Sequence, residues 1–106
     1  MDFQIILPAK TIAGKGALAR AGLEKYGSTP LIVTGKHTAK SAAAAELLKY
    51  APKGVIFDGI TGEPTVEMIN GGVAAYKDNG CDYVIGIGGG SSLDSAKAIA
   101  AMSVLG

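Results

Sequence analysis

Gly86-Ile87-Gly88-Gly89-Gly90-Ser91-Ser92-Leu93-Asp94-Ser95-Ala96-Lys97 is the stretch whose reading decides the fold of this chain. The apolar run from Tyr83 to Ile87 leads into three consecutive glycines, and these lead into a stretch of helical spacing headed by serines. A strand, a tight turn and a helix N-terminus are written this way. Glycines let the backbone take positive φ and come close to a ligand, while the free N–H groups and dipole of the next helix direct partial positive charge at it. A phosphate suits that arrangement.

Upstream, the same alternation repeats. Pro30 to Thr34 is apolar at consecutive positions, as in a parallel strand covered on both faces. The Ala-rich Thr38 to Tyr50 is predicted as a helix with Ala42, Ala44, Ala45 and Leu48 facing inward, closed by Pro52. Gly54 to Phe57 follows as a strand and Asp58 to Glu63 as a loop. Pro64 then suits the first turn of a helix over Thr65 to Asn79, with Val66, Ile69, Val73 and Tyr76 on its apolar face. Gly71 and Gly72 weaken that helix by about 1 kcal/mol each relative to alanine, which close packing would offset. After Tyr83 to Ile87, a helix is predicted over Ser91 to Val104.

The segment before residue 30 is read as a strand, Phe3 to Leu7, stopped by Pro8 and placed at a sheet edge. A turn follows at Ala9 to Gly16, then a helix at Ala17 to Tyr26 capped by Gly27. From residue 30 onward, strand and helix alternate three times, which implies a parallel sheet with helices on both faces. The predicted fold class is α/β, a Rossmann-like three-layer sheet. It has fewer strands than the six or so of a full doubly wound sheet, so it is expected to be the N-terminal part of a dinucleotide-binding domain spanning 1–106.

Composition sets bounds. At 106 residues the chain suffices for one domain, and 48% hydrophobic against 18% charged residues gives a globular chain with a core. A formal net charge of +1 provides no global field toward nucleic acid or an anionic membrane, so any anion site has to be local. A single cysteine, Cys81, excludes an internal disulfide framework, and no apolar run approaches the ~18 residues of a membrane span; a cytoplasmic location is expected. Cys81 has no histidine or basic neighbour in sequence and reads as a buried small hydrophobe.

Two familiar phosphate motifs fail on spacing. G-x-G-x-x-G would begin at Gly86 and Gly88 but meets Ser91 at its last position, and the Gly-Lys-Ser/Thr ending of a P-loop is absent. What stands is Gly88-Gly89-Gly90-Ser91-x-x-Asp94-x-x-Lys97, with Ser91 and Asp94 at capping-box-like spacing. Ordinary N-capping accounts for the serines and Asp94, and a surface partner of Asp94 accounts for Lys97. Three glycines in a row go beyond what a cap requires and favour a phosphate cradle.

This stretch resembles the GGGSxxDxxK signature of the iron-containing, type III alcohol dehydrogenases. Gly14-Lys15-Gly16-Ala17-Leu18 is similar to the GxGAL turn of that family, Leu31-Ile32-Val33-Thr34-Gly35 to its nucleotide strand, and Glu63-Pro64-Thr65 to its NPT corner, where Glu63 replaces asparagine. The resemblance implies that Gly88, Gly89, Gly90 and Ser91 bind the cofactor pyrophosphate and that Asp94 lies toward the nicotinamide. It also implies a parent enzyme that moves hydride between an alcohol or aldehyde and a nicotinamide cofactor, using iron or another divalent metal held by a later helical domain. The family's metal ligands are an aspartate and three histidines; this chain has one histidine, His37, so no catalytic residue and no metal ligand is assigned and the chain alone is expected to be inactive.

NAD-preferring members have an aspartate where this chain has Gly35. Gly35, Lys36 and Thr38, with His37 and Lys40 nearby, provide room, donors and positive charge for a 2′-phosphate, so NADP is expected over NAD. A solvated helix start would use the same residue types. The partners expected are a nicotinamide dinucleotide and, for the parent enzyme, a small alcohol or aldehyde, in a homo-oligomer. Two other readings stay open: a glycerol dehydrogenase or dehydroquinate synthase-like relative, and a non-catalytic nucleotide- or phosphate-binding α/β module.

Overall fold

The computed structural model describes residues 2–6, 11–15, 28–36, 40, 45, 48–49, 51–87 and 90–105. Its elements are β1 (Asp2–Ile6), β2 (Thr11–Lys15), β3 (Pro30–Val33), β4 (Val55–Phe57), α1 (Val66–Asp78), β5 (Tyr83–Ile87) and α2 (Gly90–Leu105). The five strands form one sheet in the order β2-β1-β5-β3-β4. β3 is parallel to both β4 and β5, with Leu31 paired to Val55 on one side and to Val84 on the other.

The N-terminal segment departs from the sequence reading. Thr11–Lys15 is a strand and not part of a turn, and it pairs antiparallel with β1, Ile5 opposite Ile12. β1 is therefore not the edge: it lies between β2 and β5 and runs antiparallel to both. Gly14 is consistent with the edge position of β2, where a glycine weakens pairing least. The parallel sheet expected from residue 30 onward is present as β5-β3-β4. The predicted helix at 17–26 lies outside the described residues, as does most of the one at 38–50.

The apolar runs are buried as expected of central strands. Every residue of β3 and β5 is buried. On one face, Leu31, Val33 and Val84 join Ile60, Cys81, Ala96, Ile99 and Ala100 in a cluster against which Phe57, Met68, Ile69, Val73 and Tyr76 pack, so α1 and α2 cover that face together. Ile32 and its neighbour Ile85 alternate to the other face and are fully buried there. A Cβ on Gly54 would lie 3.2 Å from both Ile32 Cδ1 and Leu48 Cδ2, which puts the helical residue Leu48 on this second face. The result is three layers, an α/β arrangement of the Rossmann-like kind.

Two predicted inward positions are solvent-facing: Ala45 is exposed, and Val66, at the very start of α1, is 75% exposed because it precedes the part of the helix lying on the sheet. Thr65 caps α1 by accepting the Met68 N–H at 3.2 Å, and Asn79 closes it ahead of Gly80, whose φ of 64° suits glycine. Gly72 is buried because a side chain there would run into Ile99, its Cβ falling 2.8 Å from Ile99 Cγ1, so this glycine serves the α1–α2 contact. Cys81 is buried as expected; burial, then the Asp82 charge, pushes its thiol up. At the N-terminal ends of the parallel strands, the Asp82 carboxylate accepts the Ser28 and Thr29 N–H groups at 2.7 and 2.9 Å, and the Asp82 N–H donates to the Thr29 carbonyl at 3.0 Å. Among the described residues, no helix is long and apolar enough to cross a membrane.

Candidate functional site

The chain leaves β3 for β4 on one side and, by way of α1, returns across β3 to β5 on the other. The carboxyl ends of β3 and β5 are thus neighbours from which the chain departs in opposite directions, a topological switch point, where open α/β sheets bind ligands. Val33 pairs with Gly86, so the segments that start at Thr34 and at Ile87 leave the sheet side by side. The two stretches singled out in the sequence, around Gly35 and around the glycine turn, flank this crevice.

On the β3 side, Thr34 is fully buried, its N–H donates to the Phe57 carbonyl at 3.0 Å, and its hydroxyl donates to the Gly35 carbonyl at 3.2 Å. These bonds tie the end of β3 to the end of β4. Gly35 is half-buried and Lys36 exposed; Thr38 lies outside the described residues. A Cβ at Gly35 would meet only the Ile60 carbonyl oxygen, at an ordinary 3.7 Å, and the φ of Gly35 is not positive. Neither the backbone nor the packing therefore requires a glycine at this position.

On the β5 side, Gly88 and Gly89 lie outside the described residues, and α2 begins at Gly90. Ser91 is the second residue of the helix, so the capping-box register expected for Ser91 and Asp94 does not form; Asp94 sits a turn in, and both are exposed. The Ser95 hydroxyl donates to the Ser91 carbonyl at 2.6 Å. Gly86 underlies α2: a Cβ there would come 2.9 Å from the Ala96 Cβ and 3.3 Å from Leu93 Cδ2. Its glycine serves close strand–helix packing and brings the helix start down onto the strand ends. On the far side of the crevice, Pro64 and Thr65 begin α1, with Glu63 exposed just before them.

The sequence reading missed Ser92, which is only 7% exposed although flanked by exposed Ser91, and Ile60, whose buried side chain anchors the loop after β4 beside Gly35. A signal for Ser92 was present: it lies seven residues before the core residue Ile99, on the same helical face.

Residues 8–105 match the family model described as iron-containing alcohol dehydrogenase. The chain belongs to the iron-containing alcohol dehydrogenase family. It is 36% identical to NADH-dependent butanol dehydrogenase B of Clostridium acetobutylicum over 95% of its own length and 28% of that protein. With lactaldehyde reductase of Escherichia coli K12 it shares 32% identity over 97% of the chain and 29% of the relative. With alcohol dehydrogenase 4 of Schizosaccharomyces pombe the figures are 34%, 94% and 25%. The chain thus spans under a third of the length of these relatives. No solved structure matches it.

Within the family, the described residues suit one task. Two helix N-termini and the carboxyl ends of two parallel strands converge on one crevice, with the partial positive charge that an anionic cofactor group requires. Among the described residues no three His, Cys, Asp or Glu side chains converge as metal ligands. The residues present do not fit the family's metal, and no step is derived through it.

Proposed function

We propose that this chain is the dinucleotide-binding portion of a metal-dependent alcohol dehydrogenase and that the crevice between Gly35 and the start of α2 holds NADP. The pyrophosphate lies against Gly88, Gly89, Gly90 and Ser91, with Asp94 toward the nicotinamide end, and Gly35, Lys36 and Thr38 receive the 2′-phosphate. The observation that carries the cofactor choice is Gly35. Since neither φ nor packing demands a glycine there, the missing side chain is explained by what it admits from outside the fold. An aspartate at this place would accept from the ribose hydroxyls and repel a 2′-phosphate, whereas Gly35 followed by exposed Lys36 provides space and charge for it.

The nicotinamide ring, when bound, carries the hydride. This chain's residues bind and orient the cofactor, and the alcohol or aldehyde is handled by parts of the parent enzyme outside this chain. The chain by itself binds dinucleotide without turning over alcohol. Similarity to relatives named as butanol dehydrogenases and as a lactaldehyde reductase supports the alcohol or aldehyde class of substrate.

Titration calorimetry of the chain with NADPH and NADH, before and after Gly35→Asp, tests the reading. The wild type is expected to bind NADPH more tightly. The aspartate, which fits without a clash, is expected to weaken NADPH by about tenfold or more and to strengthen NADH, consistent with one charged hydrogen-bonding group gained or lost. Equal affinities that Gly35→Asp leaves unchanged would remove the case for NADP.

A further inference from the structure

Ser92 is buried to within 7% of complete removal from solvent, yet no hydrogen bond among the described residues uses its hydroxyl; Ser95, one turn on, spends its own on the Ser91 carbonyl. A buried hydroxyl without a partner forgoes the bonds it would make to water. The direction in which Ser92 faces follows from the helix. Seven residues separate it from Ile99, about 20° short of two full turns, so the two side chains share a face and lie about 10 Å apart along the axis. Ile99 is the residue that meets Gly72 of α1. Ser92 therefore faces the α1 side, two turns closer to the helix start, and side chains in helices tilt toward the N-terminus. Thr65, the cap of α1, lies the same seven residues ahead of Gly72. The Ser92 hydroxyl is thus directed into the angle between two helix N-termini, above the carboxyl ends of β5 and β3.

We propose that the Ser92 hydroxyl is a further phosphate-binding group, donating to a pyrophosphate oxygen of the dinucleotide on the α1-facing side of the α2 N-terminus. This rests on the dinucleotide reading of the crevice and adds a side-chain donor that the glycine turn lacks. The fold leaves this hydroxyl unpaired, and the ligand satisfies it. Helix dipole and hydroxyl then act on the same anionic oxygen.

The test uses the 106-residue chain and its Ser92→Ala and Ser92→Cys variants, titrated calorimetrically with NADPH, inorganic pyrophosphate and 2′-AMP, with thermal melts of each protein. Ser92→Ala is expected to raise Kd for NADPH and pyrophosphate about tenfold, to leave 2′-AMP unchanged, and to keep or raise Tm, because the hydroxyl contributes nothing to the folded chain. Ser92→Cys, isosteric with a weak donor, is expected to fall between. Unchanged Kd values for NADPH and pyrophosphate overturn the proposal, as does a lowered Tm accompanied by equal loss of all three ligands, the mark of a structural role. If the wild type binds NADPH and 2′-AMP but Ser92→Ala makes no difference, only Ser92 is wrong. If the wild type binds none of the three, the dinucleotide reading falls and this inference with it.

Discussion

Replacing Gly86 by alanine sets two effects of opposite sign against each other. In a strand interior alanine is favoured over glycine by about 0.5–1 kcal/mol, because glycine loses more backbone freedom on folding. Against this, the new Cβ would stand 2.9 Å from the Ala96 Cβ, 3.3 Å from Leu93 Cδ2 and 3.6 Å from Leu93 Cα. Relaxed carbon–carbon contact is near 3.8 Å, so about 0.9 Å has to be found at Ala96. Leu93 can swing its side chain away, but the Ala96 Cβ is rigid to the helix backbone, so α2 itself has to lift. Overpacking of this kind costs about 1–3 kcal/mol, which exceeds the backbone gain, and Gly86→Ala is expected to destabilise by about 1–2 kcal/mol. Urea unfolding of a double-mutant cycle with Ala96→Gly isolates the contact. The second substitution vacates the space, so the double variant is expected to be about 1–2 kcal/mol more stable than the sum of the singles. Because α2 starts at the crevice, NADPH affinity is expected to fall in Gly86→Ala and to return in the double variant. Additivity to within about 0.5 kcal/mol, or a stabilised Gly86→Ala, would refute the packing role.

Two further outcomes follow from the interior. The Ser103 hydroxyl is buried without a hydrogen bond, so Ser103→Ala is expected to raise the urea midpoint by an amount worth about 1 kcal/mol, and a lowered midpoint contradicts the burial argument. Burial first, then the Asp82 charge, pushes the Cys81 thiol up; burial, then Asp82 and Cys81, does the same to the Tyr76 phenol. Both groups lose their protons more readily in the unfolded chain. Their stabilisation is whole at neutral pH and is lost as pH rises through the ordinary thiol and phenol values toward the raised ones. Stability against urea is expected to drop in alkaline solution, less steeply in Cys81→Ala; identical slopes would separate Cys81 from the effect.

Much of the sheet was legible because β3 and β5 consist of consecutive apolar residues, a pattern that few exposed segments carry. Thr65 as the start of α1 and the glycine turn ahead of α2 were legible for the same local reason, that caps and turns depend on residue type. β2 was not. Gly14, Lys15 and Gly16 signal a turn, and only the pairing with β1 makes Thr11–Lys15 a strand. Alanine carries little periodic signal, so nothing in the run around Ala45 distinguished an exposed position from a buried one. Gly86 looked like the first glycine of a nucleotide fingerprint, yet its space is filled by Ala96 and Leu93, and a glycine's neighbour, phosphate or side chain, is not written in the letter itself. Ser92 was hidden by a related ambiguity: a serine near a helix start is read as a cap, whereas here the helix begins earlier and turns it inward.

The place of β1 between β2 and β5 has a consequence for the order in which this chain can be built. Phe3 pairs with Ile87, so the N-terminal hairpin acquires its second neighbour only after 84 further residues have been made. At about 5–20 residues per second, synthesis leaves one edge of β1 open for about 4–17 s, a template for wrong pairing. Until β5 emerges, that edge depends on the ribosome surface or a chaperone for protection. Closing it is the most non-local event in the described sheet, and it joins the first strand synthesised to the last.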